Sequence, residues 1–233
     1  MRLQGRDSGH AGKIALPISD RQEAGRALAE AMKSYRGRDD LLVLALPRGG
    51  VPVACEVAEA LHAPVDLMLV RKLGTPGHDE LAMGAIASGG IRVLNRDVVY
   101  SRHISDEVIE RVAEREQREL ERREKAYRGH RARPAVEGKC VILVDDGVAT
   151  GATMRAAIAA LRRQRPARIV VAVPVAPADT VEILRSEADE VVCLATPEPF
   201  WAIGQWYAEF PQLTDDDVRE RLARSWAMYD EGR

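Results

Sequence analysis

A chain of 233 residues is long enough to bury a real core and has room for one α/β domain with an appendage. Its 46% hydrophobic and 30% charged residues are the composition of a soluble globular protein. A formal net charge of -2 gives no global electrostatic footprint for nucleic acid, and no apolar run approaches the ~20 residues that span a bilayer.

Residues 1–13 are polar and lack the apolar stretch of a signal peptide, so export is not expected and the segment reads as a disordered arm or a cloning remnant. A helix is expected over residues 20–35, with Ser19 and Gln22 as a capping box and Gly37 as its stop. Apolar runs at 41–46, 65–70, 140–144, 169–173 and 190–194 read as short strands. They are continuously apolar rather than alternating, which suits parallel strands covered on both faces. Helical patterns over 51–61, 153–163 and 180–186 fall between them, so the chain reads as an α/β protein with a doubly wound, mostly parallel sheet. Residues 85–94 read as a hairpin turning at Gly89-Gly90.

Residues 105–127 stand apart. Ser105 can cap a helix there, Asp106 and Glu107 suit its first turn, and Glu/Arg pairs recur at helical spacing among few apolar positions. The mixed sign favours a solvated helix laced with ion pairs over a binding surface. Cys55, Cys140 and Cys193 are widely spaced, odd in number and form no Cys-x-x-Cys, which reads as three buried thiols in a reducing cytoplasm rather than disulfides or a zinc site.

The chemistry concentrates after residue 144. A buried strand there ends in two carboxylates, Asp145 and Asp146, and ligands of open α/β sheets bind at that edge. Gly147, Val148, Ala149, Thr150, Gly151, Ala152 and Thr153 then lead directly into a helix. Small residues at a helix N-terminus offer free N–H groups and a positive dipole end to a phosphate, and Thr150 and Thr153 add hydroxyls. A ribose fits this spacing, with vicinal hydroxyls on the acids and a 5-phosphate in the loop.

Four apolar residues, two acids and a short loop ending Thr-Gly-x-Thr resemble the 5-phosphoribosyl-1-pyrophosphate (PRPP) signature of type I phosphoribosyltransferases. No Gly-Lys-Ser/Thr follows, so the segment is not a P-loop. Pro47-Arg48-Gly49-Gly50 occupies the place where the family holds pyrophosphate, often through a strained or cis peptide; Arg48 supplies a guanidinium, and Gly49 and Gly50 permit unusual backbone angles. Read alone, that tetrapeptide is an ordinary turn more often than a ligand site. The resemblance makes Arg71 and Lys72 further candidates for pyrophosphate, and residues 74–80, with His78, Asp79 and Glu80, the start of a mobile catalytic loop.

With Pro47–Val53, Val70–Gly74, Glu80–Ala85, Tyr127-Arg-Gly and the aromatic stretch after Phe200, the chain resembles over roughly residues 13–222 a bacterial group of phosphoribosyltransferases whose acceptor is unassigned. The resemblance implies a core over about 38–195 and a hood from the N-terminal segment and about 196–233. It implies Mg²⁺ held mainly by PRPP and water, and a small-molecule acceptor gripped by the hood, with Phe200 and Trp201 as the stacking candidates. A homodimer is compatible with the family; neither nucleic acid nor membrane is implied. One departure matters: 6-oxopurine enzymes carry an Asp where Ala149 stands, and alanine cannot handle a proton, so that acceptor class is disfavoured. A PRPP or nucleotide sensor and a ribose-phosphate hydrolase remain the alternatives to a transferase.

Overall fold

The computed structural model describes residues 14–232; the expectation about residues 1–13 lies outside the described residues. Five parallel strands form the central sheet, in the order β2-β1-β6-β7-β8: β1 (Leu41–Ala45), β2 (Val65–Leu67), β6 (Cys140–Val144), β7 (Arg168–Val175) and β8 (Glu190–Ala195). Alternate residues of these strands feed two separate cores. Val43, Ala45, Ile142 and Val144 face α1 (Arg21–Ala31) and α2 (Gly50–Leu61), whereas Leu42, Leu44, Val141 and Leu143 face α5 (Ala152–Arg163) and α6 (Ala178–Glu187). That double cover is why the strands are apolar at every position instead of every second one.

From β1 the chain steps to β2 on one side and later to β6 on the other, so β1 and β6 flank the point where strand order reverses. Leu42 pairs with Val141 and Ala45 with Val144, which brings the carboxyl ends of both strands level. A crevice opens at such a switch point, and the two loops leaving it are 46–49 and 145–151.

The run at 65–70 is not one strand. It leaves the central sheet after Leu67: the Met68 amide still donates to the Ala45 carbonyl at 2.9 Å, but the Leu69 amide turns to the Ser88 hydroxyl at 3.0 Å. Val70 then begins a second, antiparallel sheet of β3 (Val70–Thr75), β4 (His78–Ala87) and β5 (Ile91–Leu94). Its outer turn is glycine-rich as expected, with Gly89 and Gly90 at φ 94° and 70°. Residues 74–80, expected to begin an irregular lid, instead close a hairpin in which Thr75 pairs with His78 around Gly77 at φ 77°. The side chains of His78, Asp79 and Glu80 lie outside the described part of the structure.

Helix starts differ by a residue or a partner. The α1 cap is Asp20, whose carboxylate accepts from the Glu23 amide at 2.8 Å, while Gln22 reaches Glu56 instead of closing a box with Ser19. Regular helix ends at Ala31, and Lys33–Tyr35 form a tighter 3-10 turn. After a short α3 (Arg96–Ser101), the charged α4 (Asp106–Arg128) starts at Ser105 without a side-chain cap bond. Ion pairs such as Glu119 with Arg122 and Arg123 do lace its surface, but α4 also docks through charge. Buried Glu116 accepts from Arg71 of β3 and buried Arg128 donates to Asp66 of β2. The final helix, α7 (Asp215–Glu231), opens with a capping box between Thr214 and Asp217.

The segment before α1 and the segment before α7 meet beside the crevice. Ile18 bridges to Tyr207, its amide donating to Trp206 and its carbonyl accepting from Ala208 at 2.7 Å. Residues 14–20 and 196–214 are thereby tied into one flap above the carboxyl ends of β1 and β6. Of the cysteines, Cys140 is buried while Cys55 and Cys193 are only half-buried; all three are free.

Candidate functional site

The strand β6 delivers Asp145 and Asp146 into the crevice, and the loop from β1 packs directly on them. Gly49 has ordinary helical angles, φ -61° and ψ -35°, so its glycine is not explained by unusual backbone. The reason is contact: a Cβ on Gly49 would stand 2.0 Å from Asp146 Oδ2, and one on Gly50 would stand 2.7 Å from the Val144 carbonyl. Both glycines let the 46–50 loop lie against the acid pair. The Pro47–Arg48 peptide in that loop is cis.

Asp146 is buried and held from three sides. Arg21 Nε donates to its Oδ2 at 2.7 Å, the Tyr207 hydroxyl donates to its backbone carbonyl at 2.6 Å, and its own amide donates to Asp145 Oδ1 at 2.9 Å. Arg21 also donates to the Pro211 carbonyl at 2.8 Å and lies over the Phe210 ring, 3.8 Å from its centroid. Burial pushes the Asp146 carboxyl up from its ordinary range, with Arg21 opposing it. Asp145 is pushed well above that range by burial and by the Asp146 charge. Two acids forced together in a low dielectric are costly unless hydroxyls, a cation or a proton relieve them.

The following loop is shaped for an anion. Gly147 has φ 157°, and a Cβ there would meet Ile203 at 2.6 Å; Gly151 caps α5 in the left-handed region at φ 77°. Thr150, Ala152 and Thr153 are exposed at the start of α5, where first-turn amides have no intrahelical acceptor. Val148 differs from its neighbours: its side chain is buried and its amide is spent on the Val175 carbonyl at 3.0 Å. The Ala149 carbonyl accepts from the Thr180 hydroxyl at 2.8 Å, which pins the loop. Any free amides at this helix start therefore come from the residues after Val148.

The remaining candidates separate. Arg48 borders the acid pair in a cavity of about 630 Å³, with its guanidinium donating to the Leu213 carbonyl and 3.6 Å from Asp215. Arg71 and Lys72 are consecutive on a strand and so leave opposite faces. Arg71 is committed to Glu116 beside a small cavity it shares with Pro47 and Thr153, and Lys72 borders a different cavity of about 590 Å³ between β3–β5 and α5. Phe200 and Trp201 do not line the acid-pair cavity. They flank Ala149 and Thr150 on the outer side of the loop, Phe200 against Trp206 and Trp201 82% exposed. The hood residues that do face the acids are Ile203, Phe210, Gln212 and Leu213. Sequence reasoning missed Arg21, Tyr207 as a clamp on Asp146, and Phe210.

Among the described residues no cluster of three or more His, Cys, Asp or Glu side chains could cage a metal ion. Such a lining suits a Mg²⁺ carried by a ligand's own oxygens and completed by water, not one caged by protein side chains.

An acid pair and a glycine-capped helix at the switch point of a doubly wound sheet, under a two-stranded flap, define a protein of the phosphoribosyltransferase fold. The chain belongs to the phosphoribosyl transferase domain family, whose model matches residues 18–207. It is 47% identical over 208 residues to the Mycobacterium tuberculosis H37Rv protein named "Putative phosphoribosyl transferase Rv0571c", covering 89% of this chain and 47% of that one. A strain CDC 1551 counterpart matches over the same shares, so the chain spans about half the length of the curated relatives it matches. Among solved structures, the protein TT1426 of Thermus thermophilus is similar at 45% identity with a TM-score of 0.80, over 89% of this chain and 98% of that one. No described helix is long and apolar enough to cross a membrane.

Proposed function

We propose that this chain transfers the 5-phosphoribosyl group of PRPP to a nitrogenous base or another small nucleophile, releasing pyrophosphate in a Mg²⁺-dependent reaction. The observation that carries the reading is the packing of Gly49 on Asp146, which joins the pyrophosphate-side loop to the acid pair while the α5 N-terminus stands one short loop away.

In this mechanism Asp145 and Asp146 accept the ribose hydroxyls and fix the sugar. The amides of 149–153, with the Thr150 and Thr153 hydroxyls, hold the 5-phosphate, and Arg48, Gly49 and Gly50 hold the departing pyrophosphate. Arg71, whose cavity also holds Pro47 and Thr153, is the basic residue of β3 placed to meet the pyrophosphate once Glu116 shares it, whereas Lys72 opens on a separate cavity. Mg²⁺ carried in on PRPP beside the Arg48-Gly49-Gly50 loop would supply charge neutralisation for the leaving diphosphate. The anomeric carbon becomes cationic as that bond breaks, and the acceptor enters from the opposite face, under Ile203 and Phe210. Ala149 stands where 6-oxopurine enzymes carry a proton-handling Asp, which argues against a 6-oxopurine. Three free thiols and a formal charge of -2 suit a cytoplasmic protein acting on small molecules.

The test is pyrophosphate release from PRPP and Mg²⁺ against a panel of bases and amines, with calorimetric PRPP binding alongside. Turnover with at least one acceptor is expected, whereas binding without turnover would indicate a sensor. Asp145→Asn with Asp146→Asn should abolish PRPP binding in a chain that still folds; unchanged affinity in that double variant refutes the assignment.

A further inference from the structure

Arg21 is the first residue of α1, where the positive end of the helix dipole disfavours a cation, and its side chain is 9% exposed. A guanidinium so placed is costly unless its neighbours compensate. The compensation comes from both sides of the crevice: Asp146 on the sheet side, and Pro211 and Phe210 on the hood side. Tyr207, from the same hood segment, holds the Asp146 backbone, and its ring packs 4.9 Å from Phe210. Two separate stretches of chain thus converge on one residue, Arg21 on its carboxylate and Tyr207 on its backbone.

Resting on the PRPP reading above, we propose that Arg21 is a positioning residue for the donor ribose: it fixes the Asp146 carboxylate in its ionised, hydroxyl-accepting form and latches the hood segment 207–211 to it. A planar fork suits this role, since Nε serves the acid and Nη1 the hood carbonyl at the same time. The groups around Asp146 divide clearly. Arg21 from α1 and the hydrogen bonding of Asp145 beside it favour its anion and burial opposes it; Arg48 from the β1 loop shares its cavity, Asp20 caps the helix that carries Arg21, and the Tyr207 hydroxyl addresses only its backbone.

The test is PRPP affinity by calorimetry with Mg²⁺ as a function of pH, on the whole chain and on Arg21→Met, Arg21→Lys, Asp146→Asn and the Arg21→Met/Asp146→Asn pair. Arg21→Met should weaken PRPP binding roughly 10- to 100-fold, the value of a charge-assisted hydrogen bond. Its acid limb should move to higher pH, because an Asp146 without its cation protonates sooner. Arg21→Lys keeps the charge and should return the limb to its original position. Wild-type affinity and an unmoved limb in Arg21→Met would overturn the proposal. Should Arg21→Met fail to fold, the paired variant removes the stranded carboxylate: affinity equal to that of Asp146→Asn supports the proposal, and a further loss overturns it. An unaltered chain that binds no PRPP is a distinct result, which removes the donor reading and this inference with it.

Discussion

The Tyr207 hydroxyl donates to the backbone carbonyl of Asp146 across 2.6 Å, fastening the hood to the end of β6. Burial beside Asp146 pushes the phenol far above its ordinary range, so it remains a donor at every working pH. Tyr207→Phe keeps the ring against Phe210 and orphans a buried carbonyl. The expected cost is about 1–3 kcal/mol in urea unfolding, with an unchanged denaturant slope.

The acid pair predicts a trade between stability and binding. Asp145 has its folded-state pKa raised above the unfolded value, so the folded chain holds its proton more tightly than the unfolded one. Stability then falls as pH rises from the ordinary carboxylate range through the raised value. Asp145→Asn should therefore stabilise the ligand-free protein, by roughly 0.5–2 kcal/mol near neutral pH and by less at pH 4, while losing PRPP. Thermal melts of both proteins at the two pH values check this, and equal melting shifts at both would contradict it.

A second buried pair answers to different physics. Arg128 and Asp66 have side chains 5% and 3% exposed, and they fasten α4 to β2 at the sheet edge. Arg128→Met should cost about 3–5 kcal/mol because it strands the Asp66 charge, whereas Arg128→Met with Asp66→Val should recover most of that loss. Denaturation in urea of the unaltered chain, each single variant and the pair gives the coupling directly.

Much of this architecture is legible because doubly covered strands are unmistakable: each of the five apolar runs contributes a central strand, and the Asp145-Asp146 segment lies where its neighbours imply. The failures have local causes. Met68 and Leu69 are as apolar as Val65, yet the chain changes sheets between them, and hydrophobicity carries no record of which sheet a residue joins. Arg71 and Lys72 read as partners of one ligand, although strand alternation sends them to opposite faces. Thr214-Asp-Asp-Asp217 is a readable capping box, and α7 was missed with it. For Arg21 the signal is a basic residue at the start of a helix, unfavourable unless something buried awaits it. Aromatic density singles out Phe200 and Trp201, but which hood residues face the acids depends on a path through Pro199 and Gly204 that composition does not encode.

The bridge between Ile18 and Tyr207 has a consequence in time as well as in space. A ribosome releases the α1 segment first, then the Asp145-Asp146 loop, and last the residues that clamp them. Until residue 211 has emerged, Arg21 and Asp146 lack their shared partners Tyr207, Phe210 and Pro211. A chain halted between residues 153 and 207 thus carries the Asp145-Asp146 loop without the segment that covers it. Completion of the crevice therefore waits on residue 211, and a fragment broken off upstream of it leaves the acid pair uncovered.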